Sequence, residues 1–273
     1  MRFQRIRRIL ASTSLPDFAR ADADFDRLQA AYRPHPIYGY DEHSCWQRGV
    51  RRAQDVLALP GMNRSGLEVF EAACGDGMTS AVLGFYGHKV TCNDLRDRRD
   101  RRAADLPFAQ CDICQPIALE PDRFDLVLSY NSFEHLHDPA AAMHQLARIC
   151  KPGGLIHLQF APLWGDAFGV HQYRWCNVPY TQFLFSEAVF MEKKRQLQKP
   201  WKQLPEMNRW PVGRYMEVWE QSGLEQVIAE YGRRTRFVNI ISKYPESFRG
   251  RGLTFEDVTT ESIRITFRKG DVA

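Results

Sequence analysis

Leu67-Glu68-Val69-Phe70-Glu71-Ala72-Ala73-Cys74-Gly75-Asp76-Gly77 decides the fold, because a strand-forming run passes directly into a turn of small residues and glycines. Leu67 to Glu71 reads as a strand, Gly75 and Gly77 break it, and Thr79 to Tyr86 reads as a helix before the Gly87-His88 turn. The alternation continues with Lys89 to Asn93, ending in Asp94, and with Phe108 to Cys111, ending in Asp112. Phe124 to Tyr130 is a fourth strand, rich in apolar and aromatic residues, and Asn131 and Ser132 follow it. Asp138-Pro139 opens a helix, since Asp caps free N–H groups and Pro suits the first turn. That helix runs to about Cys150, Lys151-Pro152-Gly153-Gly154 stops it, and Leu155 to Phe160 supplies a fifth strand.

Strands alternating with helices require right-handed crossovers, so the expected fold is α/β: a doubly wound, mostly parallel, Rossmann-like sheet covered on both faces. Ligands of such sheets sit at the carboxyl ends of the strands. Outward from this core the chain divides by rhythm into an N-terminal helical cap (1–60), the alternating core (61–161), an aromatic-rich insertion after the fifth strand (162–210) and a C-terminal completion of the sheet (211–273). In the last part Val212 to Gln221 reads as a helix, Glu225 to Tyr231 as a strand, and Ser262 to Arg268 as a strand with Ile263, Ile265 and Phe267 alternating.

Composition narrows the classes. With 44% apolar and 12% aromatic residues the chain has material for a sizeable core, which excludes global disorder. No run reaches the ~20 apolar residues of a spanning helix, and the four arginines of the first ten residues lack an apolar stretch behind them, so neither a membrane span nor a signal peptide is expected. Seven scattered cysteines do not resemble a disulfide framework and point to a reducing, cytoplasmic setting. Cys111 and Cys114 form a single CxxC without a second pair, so no metal is expected. A net charge of +4 argues against a surface built for nucleic acid. Arg2, Arg5, Arg7 and Arg8, and the group Arg96, Arg98, Arg99, Arg101 and Arg102, read first as solvated faces and second as attractors of an anionic acceptor.

The four strand ends together outline a nucleoside. Small residues from Glu71 to Gly77 let a ligand approach the backbone, and the following helix offers free N–H groups. Asp94, with Leu95 beside it, is placed to accept hydrogen bonds from both hydroxyls of a ribose. Asp112, with Ile113, is placed to read an adenine edge, and Asn131 and Ser132 face the same crevice. No Gly-Lys-Ser/Thr follows the turn, which excludes a P-loop, and Ser80 stands where a nicotinamide fingerprint needs its third glycine.

On Glu71-Ala-Ala-Cys-Gly-Asp-Gly77, Asp94, Asp112, Phe124-Asp-Leu-Val-Leu-Ser-Tyr-Asn-Ser-Phe-Glu-His135 with Asp138-Pro139, and Lys151-Pro-Gly-Gly154, the chain resembles the class I S-adenosylmethionine-dependent methyltransferases, type-11 group. The resemblance covers about ninety residues well. It implies a seven-stranded sheet with an antiparallel last strand and S-adenosyl-L-methionine as cofactor. It also implies that Glu71, Ala73, Cys74, Gly75 and Gly77 lie at the methionine part, Asp94 at the ribose and Asp112 near the adenine. Ala73 departs from the pattern, because the family usually has its first glycine there.

Methyl transfer from a sulfonium needs the acceptor held in line and sometimes deprotonated, so histidines at the crevice are the candidate bases. His135 follows the fourth strand and His171 lies beyond the fifth. Trp164, Phe168, Tyr173, Trp175, Tyr180 and Trp201 suggest a lid that excludes water. Tyr38, Tyr40, Trp46 and Arg48 suggest a cap in which Arg48 meets the methionine carboxylate. The favoured reading is O-methylation of a small metabolite or a sugar or glycan acceptor. An RNA acceptor ranks below it, since Asn131-Ser132-Phe133 lacks the Asn-Pro-Pro-aromatic of base-amine readers. A non-catalytic binding or scaffold subunit, motivated by Ala73, is the third reading.

Overall fold

The computed structural model describes residues 2–36, 39–172, 175–197 and 206–270, so Tyr38, Tyr173 and Trp201 lie outside the described residues. Its sheet has seven strands: β1 (Glu68–Ala72), β2 (Lys89–Asp94), β3 (Phe108–Gln110), β4 (Phe124–Tyr130), β5 (Cys150–Phe160), β6 (Glu225–Arg233) and β7 (Thr260–Arg268). Their spatial order is β3-β2-β1-β4-β5-β7-β6. Pairings from β3 through β5 are parallel, and β7 runs antiparallel to β5, with Leu155 opposite Arg268 and Phe160 opposite Ile263. The doubly wound sheet with a reversed strand is the expected fold, and the order reverses between β1 and β4, the place where such sheets open a crevice.

Central strands carry continuous apolar runs because both faces are covered: Leu126, Val127 and Leu128 of β4 are all buried. One side of the core joins Val69, Val90, Leu126 and Leu128 to Val82 and Leu83 of helix Met78–Phe85, and to Ala53 and Val56 of helix Glu42–Leu57. Asp41 starts the latter helix by accepting a hydrogen bond from the Ser44 N–H at 3.0 Å. Asp138 accepts from the Ala140 and Ala141 N–H groups, so the Asp-Pro start of helix Pro139–Ile149 forms as expected. Lys151 to Gly154 does not act as a loop. β5 already begins at Cys150, and a register irregularity opposite Phe124 and Leu126, with Gly153 at φ +73°, absorbs the glycine pair inside the strand.

Two compact units emerge. One contains residues 38–160, 215–230 and 263–273; the other contains 1–37, 161–214 and 231–262. This grouping differs from division by rhythm, because the helical cap contributes to both units and the aromatic insertion shares a core with the N-terminus. In the second unit Ile6, Phe25 and Leu28 pack with Trp175, Tyr180, Phe183 and Phe185, and with Ile241, Tyr244 and Phe248. The insertion's rings are thus buried in a core of their own, which alternation in the sequence did not announce.

Gly49 lets helix Glu42–Leu57 cross helix Met78–Phe85 at its first turn: a Cβ there would stand 2.6 Å from Met78 Cβ and 2.8 Å from its carbonyl. On a solvated helix Gly→Ala stabilises by about 1 kcal/mol. Here overpacking wins, and Gly49→Ala is expected to destabilise the protein by about 1–2 kcal/mol in thermal unfolding; an increase in melting temperature would refute this tight crossing.

Candidate functional site

The first unit builds its site from the turn after β1. Ala73, Gly75 and Gly77 all take left-handed backbone, with φ of +52°, +57° and +68°. Gly77 is required there twice over, since a Cβ would also stand 2.8 Å from Ala103 Cβ. Gly75 differs: nothing lies within 4 Å of where its Cβ would be, so its outer side is open to a ligand. Ala73 keeps the left-handed turn despite its methyl group, so the departure from the family pattern leaves the turn's shape intact.

Asn93, which the sequence did not single out, ties the strand ends together. Its Oδ1 accepts from the Ala73 N–H at 3.3 Å, and its Nδ2 donates to the carbonyls of Ala109 (2.8 Å) and Cys111 (3.0 Å). The Asn93 carbonyl accepts from the Cys74 N–H at 2.8 Å. Asp94 ends β2 with Oδ2 3.0 Å from the Gly75 N–H, so the ribose candidate and the turn meet. Leu95 is exposed and Ile113 buried. Asp112 accepts from the Cys114 N–H at 2.9 Å, and its other oxygen lies 3.8 Å from His137 Nδ1. Asp112, Cys114 and His137 bring ligand-type atoms within 4.8 Å of one another. Burial pushes the Cys114 thiol up to about 11, which keeps it a neutral S–H.

Several candidates make contacts within the protein. Glu71 is 2% exposed, and its Oε2 accepts from both the N–H (3.0 Å) and the hydroxyl of Ser80 in the following helix. Burial raises its carboxyl to about 7 against the opposing hydrogen bond from Ser80. Ser132 is also buried, with its hydroxyl on that of Ser129, which donates to the Ala72 carbonyl at 3.0 Å. Asn131 sits at φ +51° and its N–H donates to Gln159 O at 2.8 Å. Arg48 pairs with Asp76 at 2.9 Å and donates to Gly39 O at 3.1 Å. Asp76 also accepts from the Met78 N–H at 3.1 Å, so Arg48 positions the turn through that carboxylate. Arg52, one helical turn on, stacks over the Tyr130 ring at 4.8 Å and has no ion pair among the described residues. Desolvation lowers its pKa against the pull of the Glu71 and Asp76 carboxylates.

His135 follows β4, with Nε2 3.8 Å from Oε1 of Glu134, a buried carboxylate that sequence reading passed over. His171 belongs to the second unit, where it takes φ +54° and its Nε2 is 3.1 Å from Pro162 O. The arginine group around residue 100 is largely neutralised locally: Arg99 pairs with Asp97, Arg102 with Asp100, and Arg101 with Glu42. Among the described residues no helix is long and apolar enough to cross a membrane.

A switch-point crevice with a glycine turn, a carboxylate against it and a second carboxylate on the next strand is the arrangement at which Rossmann-like sheets take nucleosides. Residues 70–158 match the family described as "Methyltransferase domain". Through this segment the chain is similar to the class I S-adenosylmethionine-dependent methyltransferases. It is 28% identical over 100 residues to a ubiquinone biosynthesis O-methyltransferase of Azotobacter vinelandii, covering 34% of this chain and 43% of that protein. It thus spans less than half of that relative's length. It is 26% identical over 191 residues to the tRNA 5-carboxymethoxyuridine methyltransferase of Escherichia coli, covering 66% of this chain and 69% of the relative. An S-adenosylmethionine-dependent methyltransferase structure from Mesorhizobium loti shares the fold, with TM-score 0.51, 17% identity and coverage of 82% of this chain and 98% of that one.

The raised Glu71 carboxyl sets a pH dependence. Its folded value of about 7 exceeds the ordinary 4.5, so the folded protein holds a proton that the unfolded chain has released between those limits. Stability from this group is therefore full below about 4.5 and declines as pH rises towards 7, by about 3 kcal/mol in all. The free-energy difference between wild type and Glu71→Gln, measured by urea unfolding from pH 4.5 to 7.5, is expected to shift in favour of the variant as pH rises. A pH-independent difference would show that Glu71 is already ionised.

Proposed function

We propose that the chain is a methyltransferase that binds S-adenosyl-L-methionine at the β1, β2 and β3 ends and methylates an oxygen of a small metabolite or sugar acceptor. The observation that carries this is the open side of Gly75 with the Asp94 carboxylate 3.0 Å from its N–H. A backbone edge without obstruction beside a carboxylate suits a ribose and the chain attached to it. When bound, the cofactor supplies an electrophilic methyl group on a sulfonium.

In this reading Asp94 turns from the Gly75 N–H to the ribose hydroxyls, Leu95 covers the adenine and Asp112 holds its edge. Arg52 takes the methionine carboxylate in place of Arg48, which is committed to Asp76. Removal of the acceptor's proton falls to His135. The Glu134 carboxylate beside it favours the imidazolium that results. His171, with its Nε2 hydrogen on the Pro162 carbonyl, is the other candidate base.

An RNA acceptor is the second reading, favoured by the longer match to the Escherichia coli tRNA methyltransferase. Local pairing of Arg99, Arg101 and Arg102 works against it, because phosphate contacts need arginines to spare. The scaffold reading loses its motive, since Ala73 preserves the turn.

Calorimetric titration with S-adenosylmethionine separates these statements. Asp94→Ala is expected to weaken binding by about 1–3 kcal/mol; unchanged affinity would remove Asp94 from the site, and absent binding to wild type would favour a scaffold. Arg52→Met is expected to weaken S-adenosylmethionine about tenfold yet leave 5′-methylthioadenosine, which lacks the amino-acid part, unaffected. Equal losses for both ligands would make Arg52 merely structural. His135→Ala should lower kcat by ~100-fold or more with cofactor affinity retained; an unaltered kcat would leave His171 or positioning alone.

A further inference from the structure

The second unit contains a cavity of about 860 Å³ walled by Phe18, Trp164, Phe185, Phe190 and Met191. A neighbouring cavity of about 450 Å³ shares Trp164, Gln182, Arg209 and Arg251 with it. Four aromatic and two thioether side chains on the larger wall suit an apolar body, and Gln172, Thr181, Gln182, Glu187 and Glu206 add polar groups to it. Two guanidinium groups interrupt that wall.

Arg251 stacks over Phe18 at 5.1 Å and Phe183 at 5.6 Å, while Nε donates to Ser247 O at 2.8 Å and Nη2 to Phe183 O at 3.1 Å. Those bonds leave Nη1 and the second hydrogen of Nη2 unused. Arg209 takes a left-handed φ of +59°, strained for a side-chain-bearing residue, which places its guanidinium 4.8 Å over the Trp164 ring. Among the described residues neither arginine forms an ion pair, although Glu187 and Glu206 also border the cavity. Guanidinium groups held against aromatic faces, with no ion pair among the described residues, can receive an oxyanion, which they bind in a planar fork.

We propose that this cavity is a binding site for a small molecule with an aromatic or similarly apolar body and one carboxylate or phosphate, its anion held by Arg251 and Arg209 and its ring against Trp164. The proposal does not rest on methyl transfer, so its test uses binding alone. The full chain is titrated calorimetrically with phenylacetate, phenyl phosphate and phenylacetamide, the neutral isostere of the first. At least one anion is expected to bind ten or more times as tightly as the amide, and the better of the two identifies the head group. Arg209→Gln, an exposed change, is expected to weaken that anion at least fivefold with the melting temperature unaltered. Arg251→Met is expected to weaken it further, and Arg209→Gln keeps the test decisive should loss of the Arg251 bonds unfold the unit. The proposal is overturned if neither anion binds, if the amide binds as well as the acids, or if Arg209→Gln leaves anion affinity unchanged.

Discussion

Everything at the candidate cofactor site depends on the side-chain amide of Asn93. Ladder hydrogen bonds hold β1, β2 and β3 in register, with Glu71 opposite Cys92 and Asp94 opposite Gln110, and what remains is to tie down the segments that follow the strand ends. Asn93 does so by accepting from the Ala73 N–H and donating to the Ala109 and Cys111 carbonyls. The turn after β1 and the end of β3 are thereby fixed against β2. Asp94 follows in the chain and meets the Gly75 N–H, while Asp112 follows Cys111 on the other side.

Around that tie the protein separates bracing from recognition. Glu71 and Ser80 clamp the strand to the helix that follows, and Arg48 and Asp76 clamp the turn to helix Glu42–Leu57. With Glu71 engaged by Ser80 and Arg48 by Asp76, the open edge of Gly75 and the Asp94 carboxylate remain together at the turn. Glu71 illustrates the cost of such bracing: burial raises its carboxyl to about 7, so the clamp holds a proton over much of the acidic range. The second unit follows a different logic, an aromatic core and a cavity whose wall carries two arginines that form no ion pair among the described residues, with Glu187 and Glu206 on the same wall.

The sheet and the turn were legible because period, glycines and strand-end carboxylates are local features. β1, β2 and β4 fall within a residue or so of the expected runs, and the reversed β7 follows the expected pattern. Side-chain direction was not legible. Glu71, Ser132 and Arg48 sit where a contact residue would sit, yet they point to Ser80, Ser129 and Asp76, partners chosen by the fold. Asn93 and Arg52 escaped notice for the same reason, since a polar residue inside a strand and an arginine inside a helix carry no local signal of burial. The shared core of the N-terminus and the insertion depends on contacts between residues such as Phe25 and Phe185, whose rings lie 4.6 Å apart, and no periodicity encodes a pairing that distant.

Hydrogen–deuterium exchange with and without S-adenosylhomocysteine reads the strand ends themselves. Convergence of these ends on one adenosyl group predicts added protection in peptides covering residues 71–78, 93–96 and 110–115 together, at a single saturating concentration. Protection confined to one of the three segments, or found only elsewhere in the chain, would contradict it.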